Sequence, residues 1–151
     1  GCTFNSQGLL KFELYKTITS DSGSLCFELE FPEREWTKMD TYLKVFGDTM
    51  EHLNTNQRVG GIFFLKNTKV NRDIIEEIKE ICVEDNHFYI NDSPSKEPNH
   101  PEFKKHRHEQ SVFSLITKKY KFYCIPDQTY WPPDWEKSGR DYPIWATRDI
   151  Y

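Results

Sequence analysis

The sequence predicts an α/β fold, a partial mixed sheet flanked by helices, with an irregular, aromatic-rich carboxyl-terminal tail. Segments with strand-like alternation are interleaved with segments of helical spacing. Aromatic residues make up 15% of the 151 residues, a share typical of folded chains rather than disordered ones. The 151 residues are enough for one domain, but the strands are few for a complete sheet. Either the sheet is small, or part of it lies outside this chain.

The first elements are a helix and a strand. Residues 8–19 place Leu9, Leu10, Phe12 and Tyr15 at broadly helical spacing, which predicts a short helix. A cluster of Ser, Asp and Gly at 20–24 predicts a turn. Residues 25–31 (LCFELEF) alternate apolar and acidic positions, as a half-buried strand does.

A second helix and the clearest strand follow. Pro32 and Glu33 predict the start of a helix that runs to about Met50 and buries one face, formed by Trp36, Met39, Leu43 and Phe46. Residues 58–66 (RVGGIFFLK) are short, apolar and bounded by polar residues, which predicts a strand. Glycine weakens a strand, so Gly60 and Gly61 indicate a bulge or a close approach to the backbone.

The remaining elements are two helices, a loop, a strand and the tail. Asn71 is the predicted N-cap of a helix with a buried stripe of Ile74, Ile75, Ile78, Ile81 and Cys82. Residues 91–105 contain three prolines and read as a loop. A helix is predicted over 109–119 and a short strand over 121–125, and the tail begins at Pro126.

Charge and cysteine content narrow the function classes. The net charge of −4 and pI near 5.7 argue against nucleic acid as a partner. No apolar run approaches the ~18 residues of a membrane span. Cys82 and Cys124 lie in apolar surroundings and are predicted to be buried thiols, whereas a Cys2–Cys26 disulfide stays open. The Golgi lumen, the extracellular space and the cytoplasm all remain open as compartments.

The stretch HRHEQS, residues 106–111, concentrates ionisable side chains at the start of a predicted helix. The simplest interpretation is a solvated helix start in which Glu109 complements the helix dipole. The functional interpretation is a binding site for an anion or a sugar at the free N–H groups of that helix, assisted by Arg107 and the histidines. As a zinc motif the stretch is weak, because no Cys or third His lies at a diagnostic spacing.

Two other stretches are candidates for ligand contact. In TNQRVGG, residues 55–61, backbone at the strand entrance could lie against a ligand, or the glycines could simply weaken the strand. In residues 127–148, aromatic side chains either cap the core or stack on sugar rings, and Arg140 and Arg148 could hold phosphate. The fingerprints of serine hydrolases, dinucleotide-binding folds and P-loops are absent from the sequence.

Four blocks in order resemble the carboxyl-terminal half of a GT-A type, nucleotide-sugar-dependent glycosyltransferase. They are GCTFNSQGLLKFELY, which resembles the segment after an Asp-Ala-Gly-Cys strand end; EREWTKMD, which resembles Glu-x-x-Trp-x-Lys-x-Asp; NQRVGGIFFLK, which resembles Gln-x-x-(Ala/Gly)-Gly; and HRHEQS, which resembles His-Arg-His-Asp-Gln-Ser. The resemblance covers most of the chain, and the order of the blocks is its most specific feature.

The resemblance implies transfer of a sugar from a nucleotide-sugar donor to a glycan, protein or lipid acceptor, usually with Mn²⁺ as Lewis acid. It implies catalytic roles for Glu109 and Gln110, and substrate-binding roles for Gln57, Gly60, Gly61, His106, Arg107 and His108. Glu109 departs from the family's usual Asp. The donor-binding half and its metal ligand would precede Gly1. The alternative is a non-catalytic carbohydrate-binding or interaction module derived from such an enzyme.

Overall fold

The computed structural model describes residues 1–147. Its core is a small mixed sheet built on one long strand, β2 (Ser24–Pro32). β3 (Asn56–Arg58) and β4 (Phe64–Leu65) run antiparallel to β2, and β5 (Cys124–Pro126) runs parallel to it. A separate pair joins the two ends of the described chain, since β1 (Thr3–Phe4) pairs with β6 (Ile144–Trp145). The predicted α/β class is therefore correct.

Residues 1–147 form six α-helices: α1 Leu9–Ser22, α2 Glu33–Trp36, α3 Met39–Phe46, α4 Lys69–His87, α5 His108–Lys119 and α6 Trp135–Ser138. None of the helices in the described range is long and apolar enough to cross a bilayer. Residues 91–105 form the predicted loop, without a regular element.

Because side chains alternate along β2, the strand contributes to two apolar clusters. Leu25 and Phe27 pack with Tyr15 of α1, whereas Cys26 packs with residues of α4 and α5. The α1 side also holds an edge-to-face contact between Tyr15 and Phe27, with centroids 5.4 Å apart. The sheet is thus covered by helices on both faces, which is why the predicted half-buried strand is fully buried over its first four residues.

The predicted helix from Glu33 to Met50 is wrong in its middle. Thr37 and Lys38 are extended and separate α2 from α3. The reason is tertiary: the Lys38 N–H donates to His106 Nδ1 at 3.1 Å, and the Met39 N–H donates to Asn99 Oδ1 at 2.8 Å. These side-chain acceptors replace the helical carbonyls. The predicted buried face is consequently only half-buried, and Tyr42 is the buried aromatic side chain of α3.

The predicted strand over 58–66 is also interrupted. Arg58 pairs with Glu28 and Phe64 with Leu25, so three steps along β2 (28 − 25) correspond to six on its partner (64 − 58). The three extra residues bulge out around the two glycines, in agreement with the bulge that the sequence indicates. The strand predicted over 121–125 begins later, at Cys124.

Three smaller predictions are corrected, and the open disulfide is decided. Thr68, not Asn71, caps α4, since its Oγ1 accepts from the Asn71 N–H at 3.2 Å. Ile75 of the predicted stripe is exposed. Cys82 and Cys124 are half-buried rather than buried. The open Cys2–Cys26 disulfide is not formed: Cys2 is exposed, Cys26 is fully buried, and the four cysteines of residues 1–147 are free.

Candidate functional site

Polar side chains from α2, β3 and α5 form a continuous hydrogen-bonded cluster inside the protein. We call it the buried polar network; it consists of Glu33, Thr37, Gln57, Gln110, Ser111, Ser114 and Lys118. Gln57 is at its centre and is completely buried. Its Nε2 lies 2.9 Å from Thr37 Oγ1 and 3.1 Å from Ser111 Oγ, and its Oε1 accepts from Gln110 Nε2 at 2.9 Å.

An ion pair anchors the network. Lys118 Nζ lies 2.5 Å from Glu33 Oε1, and the two side chains are 5% and 0% exposed. Ser114 and Thr37 hydroxyls also donate to the Glu33 carboxylate, both at 2.5 Å. Burial lowers the pKa of Lys118, and the Glu33 charge opposes that shift. Because each buried charge is paired and hydrogen-bonded, the network fixes α5 against α2.

Gly60 brings the end of β3 into close contact with α5. A Cβ on this residue would lie 3.0 Å from Gln110 Cβ and 3.1 Å from Gln110 Cα. By contrast, a Cβ on Gly61 would meet no atom within 4 Å. The close approach that the sequence indicated therefore involves Gly60, and its neighbour is a side chain of the protein itself.

His106 is part of the interior. The ring is 4% exposed, and both ring nitrogens have partners: Nδ1 accepts from the Lys38 N–H, and Nε2–H donates to the Tyr89 carbonyl at 2.9 Å. Burial lowers the pKa of His106 to about 4, a shift that the Tyr89 hydrogen bond partly opposes. These two contacts join α3, the segment after α4 and the start of α5.

A concave pocket of about 260 Å³ opens beside the buried polar network. We call it the aromatic pocket; it is lined by Leu29, Phe31, Val59, Arg107, Gln110, Asp127, Thr129, Tyr130 and Ala146. Phe31 and Tyr130 are 38% and 49% exposed, so both present aromatic surface to solvent. Leu29, Val59 and Ala146 make the rest of the apolar lining.

The polar atoms of the aromatic pocket are held in place by the fold. Asp127 Oδ1 accepts from the backbone N–H and the hydroxyl of Thr129, at 2.9 and 2.7 Å, which leaves Oδ2 for other donors. The Arg107 guanidinium lies 4.9 Å from the Phe31 ring centroid. Since Gln110 Nε2 donates to Gln57, its Oε1 is the atom left to accept from a ligand.

The structure thus brings only some of the sequence-predicted site residues to one place. Arg107 and Gln110 line the aromatic pocket, whereas Gln57 and His106 are buried. His108 Nε2 lies 3.0 Å from Asp92 Oδ1 on the exposed surface. The side chain of Glu109 is exposed on α5 and is not part of the pocket lining.

Asp127 and Thr129 lie in the candidate stretch 127–148 but were not themselves predicted as site residues, whereas Tyr130 is one of the aromatic side chains considered there for sugar stacking. The available signal was the Asp-x-Thr spacing after a strand, which is typical of a turn closed by an aspartate side chain. Of the two arginines considered for phosphate, Arg140 donates to Gln7 Oε1 at 2.9 Å, and Arg148 lies outside the described residues. Most tail aromatics pack on each other, as Trp131 does on Tyr142 with centroids 4.3 Å apart.

Within residues 1–147, no three or more His, Cys, Asp or Glu side chains are grouped so that they could hold a metal ion. The Mn²⁺ that the resemblance implies therefore stays a prediction, and no step below passes through it. The chain matches no protein-family model, no curated protein and no solved structure at a significant level.

Proposed function

We propose that this chain is the carboxyl-terminal part of a GT-A-like, nucleotide-sugar-dependent glycosyltransferase, and that the aromatic pocket holds the transferred or accepting sugar. The observation that carries the proposal is the position of Gln110. This residue of the HRHEQS block lines the pocket and also donates to Gln57 of the NQRVGG block, which in turn contacts Glu33 of the EREWTKMD block. Three of the four resembling blocks are thus joined in one buried hydrogen-bonded network beside the pocket.

The chemistry of the pocket suits a sugar. Exposed aromatic rings such as Phe31 and Tyr130 offer flat apolar surface to the C–H face of a pyranose. Asp127 Oδ2 and Gln110 Oε1 can accept hydrogen bonds from neighbouring hydroxyls. Arg107 supplies positive charge at the same rim, which favours the diphosphate of a nucleotide-sugar donor.

Asp127, rather than Glu109, is the carboxylate that we expect to contact the sugar. The resemblance implies that role for Glu109, but Asp127 is the carboxylate in the pocket lining. Asp127 is also the better positioned group, because two hydrogen bonds from Thr129 fix its orientation. Fixed geometry matters for transfer, since misplacement of a reacting group by about 1 Å can lower the rate ~10²-fold.

The decisive experiment compares Asp127→Asn with Glu109→Gln in the full-length natural protein. UDP-sugars with Mn²⁺ are the substrates, and released UDP and sugar binding are measured. We expect Asp127→Asn to lower UDP release and sugar affinity by at least ~10-fold each, the size of one lost charge-assisted hydrogen bond. Glu109→Gln should change either quantity little. Loss of activity in Glu109→Gln alone would instead support the role that the resemblance implies. Full sugar binding in Asp127→Asn would refute the pocket assignment.

The second candidate is a non-catalytic carbohydrate-binding module, which the exposed position of Glu109 outside the pocket favours. Such a module would bind free sugars in the aromatic pocket without dependence on nucleotide or metal. Binding that survives removal of both, with no UDP release from any donor sugar, would select this candidate over the transferase.

A further inference from the structure

A second cavity, of about 340 Å³, lies on the α5 side of the sheet. We call it the cationic cavity; it is lined by Glu28, His52, Thr55, Arg58, Lys118, Lys121 and Phe122. It is separate from the aromatic pocket. Glu28, which lines the cationic cavity, lies on one side of β2, whereas Leu29 and Phe31, which line the aromatic pocket, lie on the other side. None of its residues has a role in the proposed transfer reaction.

Arg58 is the unusual residue of this cavity. It is only 9% exposed, and no oxygen or nitrogen acceptor among the described residues contacts its buried Nε and Nη1 atoms. No carboxylate within the described range forms an ion pair with it inside 4.0 Å. The Cys26 thiol hydrogen-bonds to Arg58, but sulfur is a weak acceptor. A largely buried guanidinium with so weak a partner is costly, so an anion in the cavity would stabilise its charge.

The charges around the cavity favour a dianion. Lys118 is neutralised by Glu33, which leaves Arg58 and Lys121 as the two cations that face the opening. Lys121 is exposed and is held by its own backbone, because its N–H donates to the Lys118 carbonyl at 2.9 Å. Glu28 is an exposed carboxylate on the wall and competes with any anion for these cations.

We propose that the cationic cavity binds the phosphate group of a small molecule, with Arg58 and Lys121 as its charged ligands. The accessible part of the Arg58 guanidinium offers charge-assisted N–H donors to phosphate oxygens, and Lys121 adds a point charge. The carbonyls of Ile116, Thr117 and Lys118 at the end of α5 already accept hydrogen bonds from the following turn, which reduces their repulsion of an anion. The volume leaves room for a short organic group beside the phosphate.

The test uses the whole chain, with inorganic phosphate and glycerol 3-phosphate as probes at constant ionic strength. Binding of each probe is measured by calorimetry and by the shift in the melting temperature of the protein, and sodium chloride serves as the control anion. We expect saturable binding of the probes. Lys121→Gln should weaken it about tenfold because it removes an attractive charge, and Glu28→Gln should strengthen it because it removes a repulsive charge. Lys137→Gln, an exposed lysine of α6 outside the cavity, is the control that removes the same charge and should leave binding unchanged.

The outcomes distinguish the kind of ligand and show whether the proposal fails. Tighter binding of glycerol 3-phosphate indicates a phosphorylated small molecule, and equal binding of both probes indicates that the phosphate group alone is recognised. An equal response to chloride, or equal losses in Lys121→Gln and Lys137→Gln, would overturn the proposal. Since the variants are exposed and lie outside the aromatic pocket, their result does not depend on the proposed transferase function.

Discussion

Protonation of His106 should make the protein sensitive to mild acid. In the fold, Nδ1 must accept from the Lys38 N–H because the Tyr89 carbonyl can only accept from Nε2–H. A proton on Nδ1 would face another donor inside the protein. Burial lowers the pKa of His106 from 6.5 to about 4, and the acceptor role of Nδ1 favours the same neutral form of the ring.

The size of this loss of stability follows from the linkage between proton binding and folding. The folded-state pKa is the lower one, so between pH 6.5 and 4 the unfolded chain binds more protons and stability decreases as the pH falls. The shift of about 2.5 pKa units (6.5 − 4), at ~1.36 kcal/mol each, gives ~3.4 kcal/mol at most and about 3 kcal/mol at pH 4, where the folded ring is half-protonated. That is a large part of the stability of a typical domain.

The assay is urea unfolding followed by tryptophan fluorescence from pH 7.5 to 4, for wild type and for His106→Gln. The variant loses stability at every pH because it lacks part of the interior hydrogen bonding, but its decline towards pH 4 should be smaller than that of wild type by about 3 kcal/mol. His87→Gln, which removes an exposed imidazole, should follow the wild-type curve. Parallel curves for wild type and His106→Gln would refute the reasoning.

Two further predictions concern packing around the buried polar network. Gly60→Ala should destabilise the protein by about 1–3 kcal/mol because the new methyl group meets the backbone and side chain of Gln110, whereas Gly61→Ala should be close to neutral. Equal effects in urea unfolding would contradict the close approach. Lys118→Met should cost about 3–5 kcal/mol by leaving the Glu33 carboxylate buried without its counter-charge. The additional change Glu33→Gln should recover part of that loss, and a double-mutant cycle with strictly additive losses would show that the pair is not coupled.

Much of the fold could be predicted because several elements carry their own pattern. The alternation in LCFELEF lies within one residue of either end of β2, and the apolar spacing in the first helix predicts α1, which continues to Ser22. The helix after HRHEQS begins one residue before its predicted start. In each case the periodicity of apolar residues and the local turn residues agree with the tertiary structure.

The errors lie where distant residues replace local hydrogen bonds. Nothing near Thr37 and Lys38 in the sequence breaks a helix. The break depends on acceptors from Asn99 and His106, which are 60 and 68 residues from the N–H groups that donate to them. Similarly, the two glycines predict a bulge, but only the packed structure places Gln110 against Gly60 and open space against Gly61. Local patterns do not contain these long-range partners.

For the candidate site, too, local patterns predicted one part and long-range packing decided the other. The sequence by itself determined that HRHEQS has unusual polar chemistry at a helix start and that an aromatic tail follows the last strand. The tertiary structure decided which side chains face a cavity: Arg107 and Gln110 meet Asp127 there, whereas His106 faces inward and Glu109 faces solvent. The reason is physical, because the direction of a side chain depends on which face of its helix the rest of the chain covers.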